Sequence, residues 1–265
     1  MTKLRSVFIS DTHLGAPHAH AGELAVFLST LACEKLYLVG DIVDLWWVAR
    51  KRVCWTKNET RALDLLRKLP KRGIEVIYIP GNHDAALRTV GGQLLAGIQV
   101  QSRTEHLLLT GQRLLVTHGD QFDRYVRFDA SQKALGEVIY DGLLSFDAFA
   151  NAMRKRFGVR RFSLASWIKS RNSKAQQYLD RFEEVVINYA RSKGFDGAVC
   201  GHIHRANLRE SGGFAYANCG DWVENLTAIA EDEFGNLIQL KWTENTMHAA
   251  ATIENTVMPE LLLAA

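Results

Sequence analysis

Five short segments gather side chains of the kind that hold divalent cations: Asp11-Thr12-His13, Gly40-Asp41-Ile42-Val43-Asp44, Gly81-Asn82-His83-Asp84, Thr117-His118-Gly119-Asp120 and Gly201-His202-Ile203-His204. Any one of them, taken singly, reads as a polar residue satisfied at the end of a strand. Together they hold five of the nine histidines and set carboxylate, imidazole and amide oxygen side by side. A donor set of that kind without thiolate suits Mn²⁺, Fe or Zn²⁺ better than Ca²⁺. Alternation about Ile203 puts the imidazoles of His202 and His204 on one side of an extended segment. Cys200, beside that pair, reads as packing.

Each segment follows a stretch that reads as a strand, which is where open α/β sheets place their ligands. Apolar runs at residues 4–10, 35–39 and 75–79 predict strands, and residues 23–31 and 59–69 carry apolar side chains at helical spacing. Strand–helix–strand alternation predicts right-handed crossovers and a mainly parallel sheet. The rhythm then changes. Thr110-Gly111-Gln112, between residues 106–109 and 113–117, predicts a hairpin. Short strands at 207–210, 214–217, 226–230 and 237–242 predict an antiparallel second sheet packed on the first. Residues from about 122 to 195 read as a helical insert, and 244–265 carry no interpretable pattern. The expected organisation is one domain over 1–243, with the insert as a cap at about 122–195, and a tail at 244–265.

The 265 residues are 47% hydrophobic and 23% charged, which excludes a disordered, collagenous or coiled-coil chain. Four widely spaced cysteines without a Cys-x-x-Cys pair point to a reducing compartment. No 18 apolar residues run together and no signal-type apolar region opens the chain, so a cytoplasmic protein is expected. The net charge of +3 conceals an asymmetry: residues 148–179 hold eight basic and no acidic residues, leaving 24 basic against 29 acidic elsewhere. The eight lie among Phe149, Met153, Phe157, Phe162, Trp167 and Ile168. That mixture fits a cap lying on an anionic membrane or covering an acyl chain. The plainer reading is a solvated basic helix whose apolar side packs on the body. The charge distribution predicts an anionic partner, with nucleic acid not expected; the oligomeric state leaves no mark on the sequence.

The ordered set Asp-x-His, Gly-Asp-x-x-Asp, Gly-Asn-His-Asp, His and Gly-His-x-His resembles the calcineurin-like metallophosphoesterase superfamily, over residues 11–242 and with no motif missing. The resemblance implies an α/β fold, a four-layer αββα sandwich of two mixed β-sheets, here with a helical cap insert. It also implies two divalent cations, Mn²⁺ in the first instance with Fe or Zn²⁺ as alternatives. Asp11, His13 and His204 would bind the first cation, Asn82, His118 and His202 the second, and Asp41 both. Two such ions about 3.5–4 Å apart lower the pKa of a bridging water and clamp a phosphoryl group for in-line attack. His83 is then the expected proton donor to the leaving oxygen, with Asp84 holding its ring and favouring the charged form. Asp44 either orients a ligand or caps the following helix.

Within the superfamily the layout is similar to the UDP-2,3-diacylglucosamine hydrolases of lipid A synthesis, which cleave the pyrophosphate of a lipid-bearing UDP-sugar, usually with Mn²⁺. The match lies in segment 40–47 with its acids and Trp46-Trp47, and in His118-Gly119-Asp120. Arg171-Asn172-Ser173-Lys174, with Lys169 just before it, is similar to a substrate-contacting stretch of that family. His83 departs from it, because those hydrolases typically carry Arg there, which binds phosphate but is a poor proton donor. A soluble nucleotide phosphodiesterase or phosphomonoesterase is the second expectation. A non-catalytic binding module on the same fold is the third, disfavoured because every ligand position is kept. Trp46-Trp47, near Trp55, read as a pocket wall, an anchor for the cap or core; His18 and His20 read as exposed, or else as contacts to a substrate phosphate, and His106 and His248 have no assigned role.

Overall fold

A computed structural model of the chain describes residues 4–50, 54–126, 173–243 and 246–253. The elements run β1 (Leu4–Ile9), α1 (Ala21–Thr30), β2 (Cys33–Val39), α2 (Leu45–Ala49), α3 (Lys57–Lys68), β3 (Glu75–Ile79), β4 (Leu94–Leu95), β5 (Ile98–Val100), β6 (Thr104–Leu107) and β7 (Arg113–Val116). A 3₁₀ turn at Asp120–Tyr125 follows. Then come α4 (Ser173–Ser192), β8 (Gly197–Cys200), β9 (Asn207–Ser211), β10 (Phe214–Asn218), β11 (Thr227–Glu231), β12 (Leu237–Thr243) and β13 (Thr246–Ile253).

The period-2 pattern of β1 shows how the layers form. Val7 and Ile9 face one side and pack with Leu24, Leu28, Ala62 and Leu66 of α1 and α3. Phe8, between them, faces the other side and meets Leu114, Val116, Val199 and Ala217 of the second sheet. On that sheet's far face, Leu115, Ala198 and Tyr216 bury Phe182, Val186 and Ala190 of α4. Strands covered on both faces need apolar residues at every position, which is why their sequence runs are continuous rather than alternating. The result is helix, sheet, sheet, helix, as the resemblance implies. Helix α3 starts on a capping box in which Glu59 Oε2 accepts from the Thr56 N–H at 2.7 Å.

The sheets divide the strands differently from the sequence expectation. The first has the order β13-β12-β11-β1-β2-β3-β5-β4 and the second β6-β7-β8-β10-β9. The late strands β11, β12 and β13 therefore join the first sheet, β11 pairing antiparallel with β1. In the second sheet β8 is parallel to both β7 and β10, so that sheet is mixed rather than antiparallel. The physical reason is that β1 presents an unpaired edge, and β11, buried along its whole length, satisfies it. Thr246–Ile253, within the uninterpreted stretch, supplies the edge strand β13. Parallel pairing aligns the C-terminal ends of β1, β2 and β3 on one side, and those of β7 and β8 on the same side of the second sheet. No helix among the described residues is long and apolar enough to cross a membrane.

Candidate metal centre

The five motifs converge on the shared end of the two sheets. Three groups of donor atoms each lie within 4.8 Å of one another: Asp11, His13 and His204; His13, Asp41 and His83; Asp41, His118 and His202. Asp41 thus faces both of the half-sites that the resemblance assigns. Asn82 joins the second half-site, its Oδ1 lying 3.3 Å from His118 Nε2.

The backbone bends sharply to achieve this. Among the described residues seven other than glycine have positive φ, and five of them are Asp11, His13, Asp41, His202 and His204. That left-handed conformation is disfavoured for residues with a Cβ and persists where the surroundings over-determine it. Glycines make the room. At Gly81 an added Cβ would collide with Asp41 Oδ1 and the His118 ring, and at Gly40 with His118. The glycines preceding Asp41 and Asn82 are therefore spaces into which the ligands project.

Hydrogen bonds fix which atom each ligand presents. His118 Nδ1 donates to the Val39 carbonyl at 2.8 Å, which leaves Nε2 turned toward Asp41 Oδ2 at 3.4 Å. His13 Nδ1 donates to Asp44 Oδ2 at 2.9 Å, leaving Nε2 3.9 Å from both Asp11 Oδ1 and Asp41 Oδ2. The carboxylates are held from behind: Asp41 Oδ1 accepts from the His83 N–H at 2.8 Å and Asp11 Oδ2 from the His202 N–H at 2.9 Å. Two buried atoms, Asp11 Oδ1 and His13 Nε2, have no hydrogen-bond partner. Buried polar atoms that make no hydrogen bond, with His204 Nε2 3.2 Å from Asp11 Oδ1 and both carboxylates 3.9 Å from His13 Nε2, fit divalent cations held among carboxylate, imidazole and amide oxygen.

His83 also lies at this end, but its partner differs from expectation. Its Nδ1 is 2.9 Å from Asp44 Oδ2, the same oxygen that receives His13. Asp84 is buried away from the ring: its Oδ1 accepts from the Gly81 N–H at 2.6 Å, and its Oδ2 from the Ile42 N–H at 2.8 Å and the Tyr78 hydroxyl at 2.5 Å. The expectation that Asp84 holds His83 is therefore corrected. A carboxylate immediately following the histidine is turned back to tie its own loop to the β2 loop, and Asp44 reaches the imidazole across the strand ends. Asp44 fills both roles left open for it, since its Oδ1 also accepts from the Trp47 N–H at 3.0 Å and caps α2.

The surroundings sort as follows. Trp46 is exposed and stacks on the His83 ring at 4.0 Å, so it is not core. Trp55 is exposed as well. His18, expected in solvent, is buried within 6.1 Å of the His13 ring because its loop folds back on the first motif. Burial, together with His13, depresses it to about 3 and keeps it neutral. Cys200 is buried against the Tyr216 hydroxyl, and its burial pushes the thiol up to about 12. His106 lies between the sheets, bridging the Tyr37 hydroxyl and Glu231. Lys169, Arg171 and Asn172 lie outside the described residues, as does most of the basic stretch; Ser173 and Lys174 open α4. Asp123, which no motif marks, has its Oδ1 2.9 Å from His202 Nε2; in the sequence it shows only as a second acid just beyond the His118 motif.

The sequence profile of the calcineurin-like phosphoesterases matches residues 4–206. The chain belongs to that family. As a calcineurin-like phosphoesterase it is a metal-dependent hydrolase that uses divalent cations. It is 27% identical over 235 residues to the UDP-2,3-diacylglucosamine hydrolase of Neisseria meningitidis, covering 84% of this chain and 91% of that one. To the enzyme of the same name from Psychromonas ingrahamii it is 26% identical over 239 residues, 85% of this chain and 93% of that one. A Vps29 single mutant from Entamoeba histolytica aligns with a TM-score of 0.48 at 14% identity, over 95% of this chain and 99% of that one.

The charge state of this phosphoesterase without metal follows from the same geometry. Burial raises the Asp11 carboxyl, but the adjacent His204 outweighs it and holds the group at about 2. Asp41 and Asp44 are also held well below the ordinary carboxylate range, against their burial, by His118 and by the His13–His83 pair. Conversely, burial opposes charge on His13 and His118, yet Asp44 lifts the first to about 9 and Asp41 the second to about 10. At pH 7 protons therefore occupy nitrogens that a cation needs bare. Cation uptake at pH 7 is expected to release about two protons per chain from His13 and His118, with any from cation-bound water in addition, and apparent affinity to rise with pH until it passes about 9 to 10. Calorimetry in buffers of different ionisation enthalpy measures the release, and a value near zero would contradict this assignment.

Proposed function

We propose that this phosphoesterase hydrolyses the pyrophosphate bond of an acylated UDP-sugar, close to UDP-2,3-diacylglucosamine, with two Mn²⁺ ions. The observation that carries this reading is the similarity to the two named hydrolases over more than four fifths of both chains. The site geometry is compatible with it, and the acid-free basic stretch at residues 148–179 supplies charge for a phosphate or lipid head group at a peripheral membrane contact.

Held at this centre, two divalent cations would supply a hydroxide at neutral pH and neutralise charge on the phosphoryl oxygens. The chain's own residues provide the rest. Asp11, His13 and His204 form one half-site and Asn82, His118 and His202 the other, with Asp41 between them. Asp44 orients both His13 and His83 through one oxygen, and Val39 orients His118. With its Nδ1 engaged, His83 offers Nε2 to the leaving oxygen, and Trp46 covers its ring. Asp84 keeps the loop around Asn82 in register with that around Asp41.

His83 also favours a second reading, a nucleotide phosphodiesterase or phosphomonoesterase. An anhydride expels a phosphate, which needs little protonation, whereas an alkoxide leaving group depends on a donor. The experiment is substrate profiling with Mn²⁺ on UDP-2,3-diacylglucosamine, bis-p-nitrophenyl phosphate and p-nitrophenyl phosphate. The proposal expects UMP release from the lipid substrate to be fastest, and turnover of the p-nitrophenyl esters with none of the lipid substrate would replace it with the second reading. His83→Ala is expected to slow esters of alcohols by about 10²- to 10⁴-fold and the anhydride far less, with metal content unchanged. Equal slowing of both would mean that His83 holds phosphate rather than a proton.

A further inference from the structure

His202 is gripped on both sides. Its backbone N–H donates to Asp11 Oδ2 at 2.9 Å, and its Nε2 lies 2.9 Å from Asp123 Oδ1. The same Asp123 oxygen accepts from the Tyr178 hydroxyl at 2.6 Å. The ring packs edge-on to His118 at 5.2 Å and against Phe182 of α4 at 5.8 Å. Asp123 stands on the 3₁₀ turn that follows β7, and Tyr178 on α4, so two elements remote in sequence meet at one imidazole.

A carboxylate oxygen is an acceptor, so the proton of the neutral imidazole sits on Nε2 and Nδ1 carries the lone pair. A histidine whose far nitrogen is held by a carboxylate is fixed in tautomer and orientation and made more basic toward a cation. Tyr178 in turn fixes the carboxylate. We propose that Asp123, backed by Tyr178, is a positioning residue that sets how tightly the second cation is held, through His202, while leaving the first cation untouched. This rests on the reading of His202 as a ligand of the second cation.

The test titrates the metal-free full chain with Mn²⁺, following free ion and the spin-coupled pair signal by electron paramagnetic resonance. Asp123→Ala is expected to weaken one of two dissociation constants by about 10- to 100-fold and to leave the other within about twofold. Asp123→Glu should restore part of the loss, and Tyr178→Phe should give a smaller one in the same constant. Added to His202→Ala, Asp123→Ala should have no further effect, because both act through one imidazole. Unchanged constants in Asp123→Ala would overturn the proposal. So would equal weakening of both constants with a lowered thermal midpoint, which would make the contact merely structural. Retention of both ions by His202→Ala would instead remove the ligand reading beneath it, and that arm is read independently of Asp123.

Discussion

Asp41→Ala is expected to lower turnover by about 10³-fold or more and to leave the protein with at most one tightly bound cation per chain. The carboxylate is 2% exposed and, among the described residues, lies in donor groups with members of both half-sites. Removing it takes away a ligand from each half-site and a negative charge that offsets two dications. Metal-assisted hydrolysis rests on several kcal/mol of transition-state charge stabilisation, and each ~1.4 kcal/mol is a factor of ten in rate. Losing about 4 kcal/mol therefore accounts for the expected drop. Asp41→Asn separates charge from shape, because an amide oxygen can still accept from the His83 N–H. It should fail nearly as badly. Elemental analysis of the purified variants, with initial rates at saturating Mn²⁺, checks this. Full activity with undiminished metal would end the case for Asp41 as the shared ligand.

Asp44→Ala is expected to be almost as damaging, although Asp44 belongs to none of the three donor groups. One oxygen receives both His13 and His83 at 2.9 Å, so a single truncation releases the proposed metal ligand and the proposed proton donor together. Loss of the outer partner of a histidine ligand costs about 10- to 100-fold in metal affinity or activity, and loss of a positioned acid about 10²- to 10⁴-fold. For alcohol leaving groups the combined fall should lie between about 10³- and 10⁶-fold. The N-cap of α2 goes as well, at about 1 kcal/mol of stability. Asp44→Asn keeps the cap and loses the charge, so its thermal midpoint should recover while its activity does not. If the activity of the two variants instead followed their stability, Asp44 would be a helix cap and nothing more.

The candidate ligand set was legible because each member belongs to a short motif at the end of an apolar run, and residue type and order are local properties. Strands such as Glu75–Ile79 and helices such as α3 were legible for the same reason, through period and capping chemistry. The destination of β11, β12 and β13 was not, since a short buried strand reads the same whichever sheet edge receives it. Nor was the burial of His18, which depends on a loop folding back rather than on its own neighbours.

The sequence by itself determined the family, the chemistry of the donors and the strand ends that carry them. Only the tertiary structure decided which carboxylate serves which imidazole. Asp84 adjoins His83 in the chain yet binds elsewhere, Asp44 reaches it from 39 residues away, and Asp123 reaches His202 from 79. A hydrogen bond is set by direction and distance over a few tenths of an ångström. Those are fixed by left-handed turns at Asp11, His13, Asp41, His202 and His204 and by the packing of two sheets, which no local pattern encodes.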